Sequence, residues 1–175
     1  MSREQQLVEL VAADGRAEGT ATVEAAHRAP GRLHRAFSVL LVAPDGRLLL
    51  QQRAAVKTRF ALRWANSCCG HPGPGESVVA AAERRLDEEL GVSAPLREVG
   101  VYVYQAADPD SGRVEFEYDH VLTGPFEGSV HADPAEVAET EWVAPDELAD
   151  RIRRFPDFYS PWLAGVLDVW RSAAR

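Results

Sequence analysis

The sequence predicts an α/β (α+β) protein in which a mixed β-sheet is sandwiched between helices. Short runs rich in Val, Leu and aromatic residues alternate with stretches of helical periodicity, and no internal repeat interrupts them. The chain has 175 residues, of which 46% are hydrophobic and 26% charged, as in ordinary globular proteins. A chain of this length buries about 70% of its unfolded surface, which is enough for one core. We therefore expect a single domain over residues 1–175, with its core at about 7–170.

Turn signals divide the first third of the chain into strands. Asp14-Gly15 and Pro44-Asp45-Gly46 are turn sequences, because Gly accepts positive φ angles and Pro presets φ at the first turn position. The segments beside these turns have the composition of strands. We expect four strands, the last two forming a hairpin, at 7–11, 20–25, 36–42 and 48–52.

The clearest helix of the chain covers residues 77–90. Ser77 is a favourable N-cap, because its hydroxyl can accept a hydrogen bond from a free backbone N–H of the first turn. Alanines fill the first half of the segment, and Gly91 is placed to end it. The pattern predicts one helix with defined ends.

The second half of the chain continues the alternation. Two strands are expected at 99–105 and 114–122, followed by a short strand at 141–143 and a helix at 146–154. A final helix follows Pro161 and carries four residues at core-facing spacing: Trp162, Val166, Leu167 and Trp170. These elements complete the predicted sheet and its covering helices.

Charge and composition exclude several classes of partner. The formal net charge of -8 argues against nucleic acid and membrane surfaces, which are themselves negative. The amino terminus is polar, and no apolar run approaches the roughly 20 residues that span a bilayer. The two cysteines are adjacent in sequence, so no disulfide framework exists. We expect a cytoplasmic protein; the sequence does not fix its oligomeric state, for which a monomer is our expectation.

The 23 residues from Gly70 to Val92 carry the most specific spacing in the chain. Gly70 is followed by Glu76 six positions later, by Arg84 after eight more, and then by Leu-Asp-Glu-Glu-Leu-Gly-Val at 86–92. This spacing closely resembles the Nudix signature, a loop–helix–loop that holds divalent metal against a diphosphate. Arg85 departs from it, since the signature has its first helix-face glutamate there. With a thiol and an imidazole at the entrance, this departure points away from diphosphate hydrolysis.

Two side chains of the central helix suit a diphosphate bound through metal. Arg85 and Glu89 are four positions apart and share one helix face. An isolated pair at this spacing is usually a solvated ion pair, but the surrounding signature favours function. Glu89 would help hold Mg²⁺, which also binds phosphate oxygens. Arg85 would grip the diphosphate with its planar guanidinium.

A second set combines three histidines with two glutamates. Glu115 and Glu117 are two apart on a predicted strand, so their side chains share a face. Each member alone is a weak signal, because single histidines and Glu-x-Glu pairs are common at surfaces. Together they offer three nitrogen and two oxygen ligands, suited to Mn²⁺, Mg²⁺ or Zn²⁺. The set is His27, His34, His71, Glu115 and Glu117; we interpret His120 and His131 as structural or exposed.

Scattered motifs resemble one family over nearly the whole chain. They are Ala26-His27, Arg32-Leu33-His34, Asn66-Ser67-Cys68-Cys69-Gly70-His71-Pro72, Glu115-Phe116-Glu117 and Ser160-Pro161-Trp162. In this order and spacing they closely resemble the type I isopentenyl-diphosphate Δ-isomerases. The resemblance implies a Nudix-type mixed sheet between helices. It also implies reversible conversion of isopentenyl diphosphate to dimethylallyl diphosphate, a step of isoprenoid biosynthesis.

The resemblance also implies roles for individual residues. Cys69 and Glu117 match the catalytic thiol and carboxylate, and Tyr104 and Trp162 match aromatic groups beside the hydrocarbon. Glu89 matches the ligand of the Mg²⁺ on the diphosphate. Arg53, Lys57 and Arg85 match cations that bind the diphosphate. The metal ligands match the His/Glu set: His27, His34, His71, Glu115 and Glu117.

The residue types suit allylic proton transfer. Protonation of an alkene gives a tertiary carbocation, so the site must hold a placed acid and exclude water. Cys69 and Glu117 could add and remove the proton on opposite faces, while the Trp162 ring faces the developing cation. Cys68 fits a core position, since neighbouring side chains on an extended segment point oppositely.

Two other functions remain open from the sequence. A Nudix hydrolase of a nucleoside diphosphate derivative would use the retained Glu88 and Glu89 for metal-assisted attack by water. A non-catalytic Nudix-fold binding module would need neither the thiol nor the carboxylate pair. The segment that carries His27 and His34 has the composition of a loop, and we expect metal and substrate to order it.

Overall fold

A computed structural model describes residues 2–173 and places its strands in one mixed sheet. Four α-helices accompany the sheet, which confirms the predicted α+β class. The nine strands of the described residues are β1 Leu7–Val11, β2 Ala17–Thr22, β3 His34–Val42, β4 Leu48–Arg53, β5 Trp64–Ala65, β6 Cys68–Gly70, β7 Arg97–Ala107, β8 Val114–Pro125 and β9 Val137–Val143. The helices are α1 Val23–His27, α2 Val78–Leu90, α3 Pro145–Arg154 and α4 Leu163–Ala173. Single 3₁₀ turns occur at Arg3–Gln5 and Pro156–Phe158.

Strand β3 is the hub of the sheet. It runs parallel to β8 and antiparallel to β1, β4 and β6. In the parallel pair His34 lies opposite Glu117, and in the β6 pair Ser38 lies opposite Cys69. Strand β7 extends the sheet beyond β8 and places Tyr104 opposite Glu117. The register of three strand pairs therefore brings distant parts of the sequence together.

Each face of the sheet is covered by different helices. On one face, the apolar side of α2, with Leu86 fully buried, packs against β3 residues such as Phe37 and Val39. On the other face, α3 and α4 pack against Leu40 and Leu50. Because side chains alternate along a strand, successive residues of β3 pack on opposite faces of the sheet, each face with its own hydrophobic core. The arrangement confirms the predicted sandwich.

Helix α2 begins and ends as its sequence predicts. The Ser77 hydroxyl accepts a hydrogen bond from the Ala80 N–H at 3.4 Å. Gly91 adopts a left-handed conformation with φ of 61°, and its N–H donates to the Asp87 carbonyl. This conformation is accessible to glycine at no steric cost, so the helix stops there. Helix α2 is thereby fixed in position beside the strand that carries Cys69.

The predicted strand at 20–25 is wrong beyond Thr22. Val23–His27 forms α1 instead, because the Thr22 side chain accepts a hydrogen bond from the Ala25 N–H at 3.1 Å and caps a helix. His27 consequently ends a helix and His34 begins β3, so only residues 28–33 between them form a loop. The strands β5 and β6 were not predicted, because two or three residues are too few to show periodicity.

No helix among residues 2–173 is long and apolar enough to cross a bilayer.

Candidate active site and metal centre

A cavity of about 330 Å³ opens where the ends of β4, β6, β7 and β8 meet α2 and the start of α4. All four residues expected to be catalytic line it, as do the three expected cations. The polar amino-terminal turn, with Arg3 and Glu4, borders its mouth. The catalytic and cationic residues on its wall are Cys69, Tyr104, Glu117, Trp162, Arg53, Lys57 and Arg85.

The five expected metal ligands converge on one point, and three of them, His71, Glu115 and Glu117, also line this cavity. One donor atom from each lies within 4.8 Å of every other, a spacing suited to one ion. They come from the end of α1, the start of β3, the residue after β6, and two positions of β8. His120 and His131 lie outside this group; His120 bonds Glu98 at 2.8 Å, and His131 is exposed. The donors are His27, His34, His71, Glu115 and Glu117.

Backbone carbonyls orient two of the histidine rings. The Nδ1 atoms of His27 and His34 each lie 2.7 Å from a carbonyl oxygen, of Val23 and of Arg32. A carbonyl only accepts, so both Nδ1 atoms carry hydrogen and both Nε2 atoms face the cluster. Such an outer-shell bond is the usual support of a metal-ligating histidine.

Histidine nitrogens and glutamate oxygens face each other at the centre of the cluster, an arrangement that a proton or a cation between them would stabilise. His27 Nε2 lies 2.8 Å from Glu115 Oε2, and His34 Nε2 lies 3.7 Å from Glu117 Oε1. Among the described residues, His34 Nε2 is buried and has no hydrogen-bond partner. Lone pairs and carboxylates that face each other in a buried space repel unless a proton or cation lies between them. The residues therefore fit a divalent metal ion.

Burial and neighbouring rings set the protonation of the cluster. Burial lowers the pKa of His71 to about 4, although Glu117 opposes the shift. Burial raises the pKa of Glu117, but His34 and His71 outweigh it and hold that pKa well below its usual range. His71 is thus neutral and Glu117 ionised at pH 7, and these are the states that bind a metal.

Glu117 also accepts a hydrogen bond from the phenol of Tyr104. The Tyr104 hydroxyl donates to Glu117 Oε2 at 2.6 Å, while His71 Nε2 lies 2.9 Å from Oε1. Burial and the nearby carboxylates raise the pKa of Tyr104 well above its usual value, so the phenol keeps its proton. One oxygen of Glu117 therefore belongs to the histidine cluster and the other to a proton donor at the cavity.

Cys69 and Cys68 point to opposite sides of β6, as predicted. Cys68 is fully buried in the core beneath α2 with Leu86. Cys69 lines the cavity, and its Sγ donates to Asn66 Oδ1 at 3.1 Å. Burial and the adjacent Asp119 raise the pKa of Cys69 to about 12. Cys69 is therefore a protonated thiol at neutral pH.

Trp162 lies beside the thiol and is 3% exposed. Its Nε1–H donates to Asn66 Oδ1 at 3.0 Å, the same oxygen that accepts from Cys69. The Arg53 guanidinium carbon lies 5.6 Å from its ring centroid, and the Tyr104 ring lies 5.8 Å away. These contacts hold a large aromatic surface in the wall of the cavity.

Two of the three cations expected to bind diphosphate are paired with carboxylates, whereas Arg53 lies against Trp162 and donates to the carbonyls of Arg59 and Phe60. Arg85 forms ion pairs with Glu88 and Glu89, and Lys57 pairs with Glu136. A guanidinium that already joins two carboxylates can exchange one of them for phosphate oxygens, which accept the same paired hydrogen bonds. Arg85 and Lys57 therefore line the cavity as members of ion pairs.

Sequence reasoning missed three buried groups of the site. Arg59 donates through Nε to Glu115 Oε1 at 3.1 Å and through Nη1 to Glu4 Oε1 at 3.0 Å. Its place six residues after Arg53, in a basic stretch, was an available signal. Asn66 stood inside a quoted motif but had no assigned role, and Glu136 had no signal in the sequence.

The chain matches a family model and curated relatives over most of its length. Residues 32–164 match the NUDIX domain. An isopentenyl-diphosphate Delta-isomerase of Nocardia farcinica is 61% identical over 96% of both chains. One from Streptomyces coelicolor is 50% identical over 97% of this chain and 85% of its own, and one from Serratia proteamaculans is 43% identical over 93% and 89%. The chain belongs to the isopentenyl-diphosphate Δ-isomerase family of NUDIX-domain proteins.

Solved structures of other proteins share the fold of this isomerase-family chain. A Deinococcus radiodurans protein superposes with a TM-score of 0.75 at 20% identity, covering 97% of this chain and all of its own. A MutT protein of Methanosarcina mazei superposes with a TM-score of 0.67 at 16% identity, covering 82% of this chain and 96% of its own. At such identities the likeness concerns the fold alone.

Proposed function

We propose that this chain interconverts isopentenyl diphosphate and dimethylallyl diphosphate by a 1,3-allylic proton transfer. The observation that carries the proposal is the pair of proton carriers on one cavity: the protonated thiol of Cys69 and the ionised Glu117 bonded to Tyr104. Its family membership agrees with this activity. The enzyme is thus an isomerase that moves a double bond by one carbon.

The two proton carriers account for both proton transfers of the reaction, one to the substrate and one from it. One group gives a proton to the terminal alkene carbon, which leaves a tertiary carbocation at the neighbouring carbon. The other group removes a proton from the carbon on the far side, and the electron pair of that C–H bond forms the new double bond. Cys69 and the Glu117–Tyr104 pair fill these roles in either order, because the reaction is reversible.

Aromatic side chains protect the cationic intermediate. Trp162 is buried in the wall, and its ring face can attract a carbocation by about 2 kcal/mol in a desolvated site. That attraction corresponds to roughly a thirtyfold rate gain. Tyr104 presents its hydroxyl to Glu117 and its ring to Trp162. Both residues exclude water that would otherwise quench the cation.

The His/Glu cluster would hold Mn²⁺, Mg²⁺ or Zn²⁺, and its nitrogen-rich donor set favours a transition metal. Such an ion, when bound, neutralises the clustered carboxylates and fixes the position of Glu117. The residues proposed to hold it are His27, His34, His71, Glu115 and Glu117.

The cationic end would receive the diphosphate. Arg53, Lys57 and Arg85 supply the positive charge, and Glu89 would hold Mg²⁺ together with phosphate oxygens. We further propose that the chain acts as one monomeric domain over residues 1–175 in a reducing cytoplasm, where Cys68 and Cys69 stay free thiols. The overall charge of -8 disfavours nucleic acid and membrane as partners.

A NUDIX hydrolase of a nucleoside diphosphate derivative is the alternative, favoured only by the retained Glu88 and Glu89. Both carboxylates are engaged by Arg85, which takes the position of a further metal-binding glutamate. This pairing reduces the negative charge available to a metal-bound water.

A product assay in heavy water tests the proposal. Offered isopentenyl diphosphate with Mg²⁺ and Mn²⁺, the enzyme should form an acid-labile allylic diphosphate that contains deuterium. Release of phosphate without an allylic product would indicate a hydrolase instead. Absence of both, with binding retained, would indicate a binding module.

A further inference from the structure

Asn66 is a fully buried amide that joins two walls of the cavity. It lies between β5 and β6 and is 0% exposed. Its Oδ1 accepts from Cys69 Sγ at 3.1 Å and from Trp162 Nε1 at 3.0 Å. Cys69 belongs to β6, whereas Trp162 lies 96 residues after Asn66, just before α4. A single oxygen atom therefore connects the thiol to the aromatic wall.

The other end of the amide fixes its orientation. Asn66 Nδ2 donates to the Cys68 carbonyl at 2.7 Å and to the Val39 carbonyl at 3.2 Å. A reversed amide would put its NH₂ against the indole N–H of Trp162, which only donates, and its oxygen against two carbonyl oxygens. The four partners therefore determine the orientation of the amide: Oδ1 accepts two hydrogen bonds and Nδ2 donates two.

We propose that Asn66 is a positioning residue of the isomerase reaction, holding the Cys69 sulfur and the Trp162 ring at a fixed separation around the hydrocarbon. It acts through these two residues and does not itself carry a proton. A proton donor must lie within hydrogen-bond reach of the reacting carbon, and small displacements are costly to the rate. This inference rests on the proposed function for its kinetic consequence, while the coupling of thiol and indole is independent of it.

Ser67 provides a matched control. It is the next residue, is equally buried, and makes comparable hydrogen bonds: its Oγ accepts from the Leu41 N–H and donates to the Leu49 carbonyl. Ser67 contacts neither Cys69 nor Trp162 through its side chain. A Ser67→Ala change should lower stability as Asn66→Ala does, without disturbing the thiol or the indole.

Steady-state kinetics of Asn66→Ala and Ser67→Ala separate positioning from stability. For Asn66→Ala we expect kcat to fall by about 10²-fold, with KM and the affinity for inorganic pyrophosphate near wild type. Ser67→Ala should keep the wild-type kcat. If Asn66→Ala keeps kcat, or if both variants lose it equally, the inference is wrong. Where Asn66→Ala does not fold, Asn66→Ser replaces it, since serine is one bond shorter and cannot reach both partners.

Alkylation of Cys69 gives a readout that does not need turnover. Without its Asn66 partner the thiol can rotate, so we expect the rate of its reaction with iodoacetamide, followed by mass spectrometry, to change several-fold in Asn66→Ala and Asn66→Ser. Ser67→Ala should match wild type. Equal rates in all four proteins would overturn the proposal even if the wild-type enzyme had no isomerase activity, so the two failures are distinguishable.

Discussion

At the scale of single residues, the proposed proton carriers differ from chemically identical neighbours in their position in the sheet. Cys68 and Cys69 are adjacent in sequence and chemically identical, yet one is in the core under α2 and the other is on the cavity. Glu115 and Glu117 share a face, but only Glu117 reaches the Tyr104 phenol. Position in the sheet, not residue type alone, therefore distinguishes the proposed proton carriers from these neighbours.

The proton carriers can be tested by removing each in turn. Cys69→Ala and Glu117→Gln should each lower turnover by about 10³-fold or more, because a general acid or base is lost. Their affinity for inorganic pyrophosphate with Mg²⁺, measured by calorimetry, should stay near wild type, since neither side chain belongs to the cation cluster. Cys68→Ala is the control and should stay active. An active Cys69→Ala variant would refute the role of the thiol.

Arg59 should act on the metal through Glu115, whose carboxylate it orients at 3.1 Å. Loss of such an outer-shell partner typically lowers metal affinity by about 10- to 100-fold. We therefore expect Arg59→Ala to bind Mn²⁺ more weakly in a competition with a chelator. Arg113→Ala is the matched control, because the Arg113 guanidinium lies 4.0 Å from Glu4 and donates to the Glu24 carbonyl at 3.5 Å, and it bonds neither Glu115 nor Glu117. Equal affinities of the two variants would show that Arg59 does not support the site.

At the scale of elements, patterns long enough to repeat could be predicted and short ones could not. Helix α2 was predicted with its cap and its terminator, because its residues 78–90 show more than three turns of periodicity and a local signal at each end. The short strands β5 and β6 are set by their pairing with β4 and β3, and the five-residue α1 is set by a single cap. The metal ligands were predicted from a resemblance, since spacing alone does not relate His27 to Glu117.

The cap of α2 has a measurable contribution. Ser77→Ala should lower the free energy of unfolding by about 1 kcal/mol, because the first helical turn loses its hydrogen-bond acceptor. Ser77→Asp keeps an acceptor at the same place and should retain most of the stability. Urea unfolding of the three proteins measures both changes. Equal losses in the two variants would mean that the hydroxyl does not act as a cap.

The loop between β7 and β8 should be sensitive to acid through Asp108. Its carboxylate accepts from the Phe60 N–H at 3.2 Å and from the Ser111 hydroxyl at 2.5 Å. Burial raises its pKa, but these bonds outweigh burial and lower it below the usual 3.8. A lowered folded-state pKa gives stability that is present above 3.8 and is lost as pH falls through the folded value.

Asp108→Asn isolates this contribution, because the amide cannot be deprotonated. The variant should be less stable than wild type at pH 6, and the difference in unfolding free energy should shrink at pH 3 and below, where the carboxyl of the wild type takes up a proton. Urea titrations at the two pH values measure it. A difference that does not change with pH would show that the charge of Asp108 is unimportant.

At the scale of the whole molecule, metal binding and folding are linked. The donors of the cluster span residues 27–117 and lie in α1, β3, β8 and the segment after β6. The unfolded chain cannot hold them together, so a bound ion stabilises only the native state. A ligand at 100 times its Kd adds about 2.7 kcal/mol to the free energy of unfolding.

We expect Mn²⁺ to raise the unfolding free energy of the wild type by that amount and to have little effect on His34→Ala. His120→Ala should respond like wild type, because His120 pairs with Glu98 away from the cluster. Hydrogen exchange of residues 28–33 should slow when metal and substrate bind, since this loop connects two ligands. Exchange that is equally slow with and without them would contradict that ordering.

The single atom shared by Cys69 and Trp162 has a consequence for biosynthesis of the enzyme. The ribosome adds the amino-terminal metal ligands early, but the indole that completes the wall arrives only at position 162 of 175. Until that tryptophan leaves the exit tunnel, the Asn66 oxygen has the thiol as its one side-chain donor and the pocket is open on one side. Isomerisation therefore cannot begin before Trp162 has been added and released from the tunnel, and products that end before it should be inert.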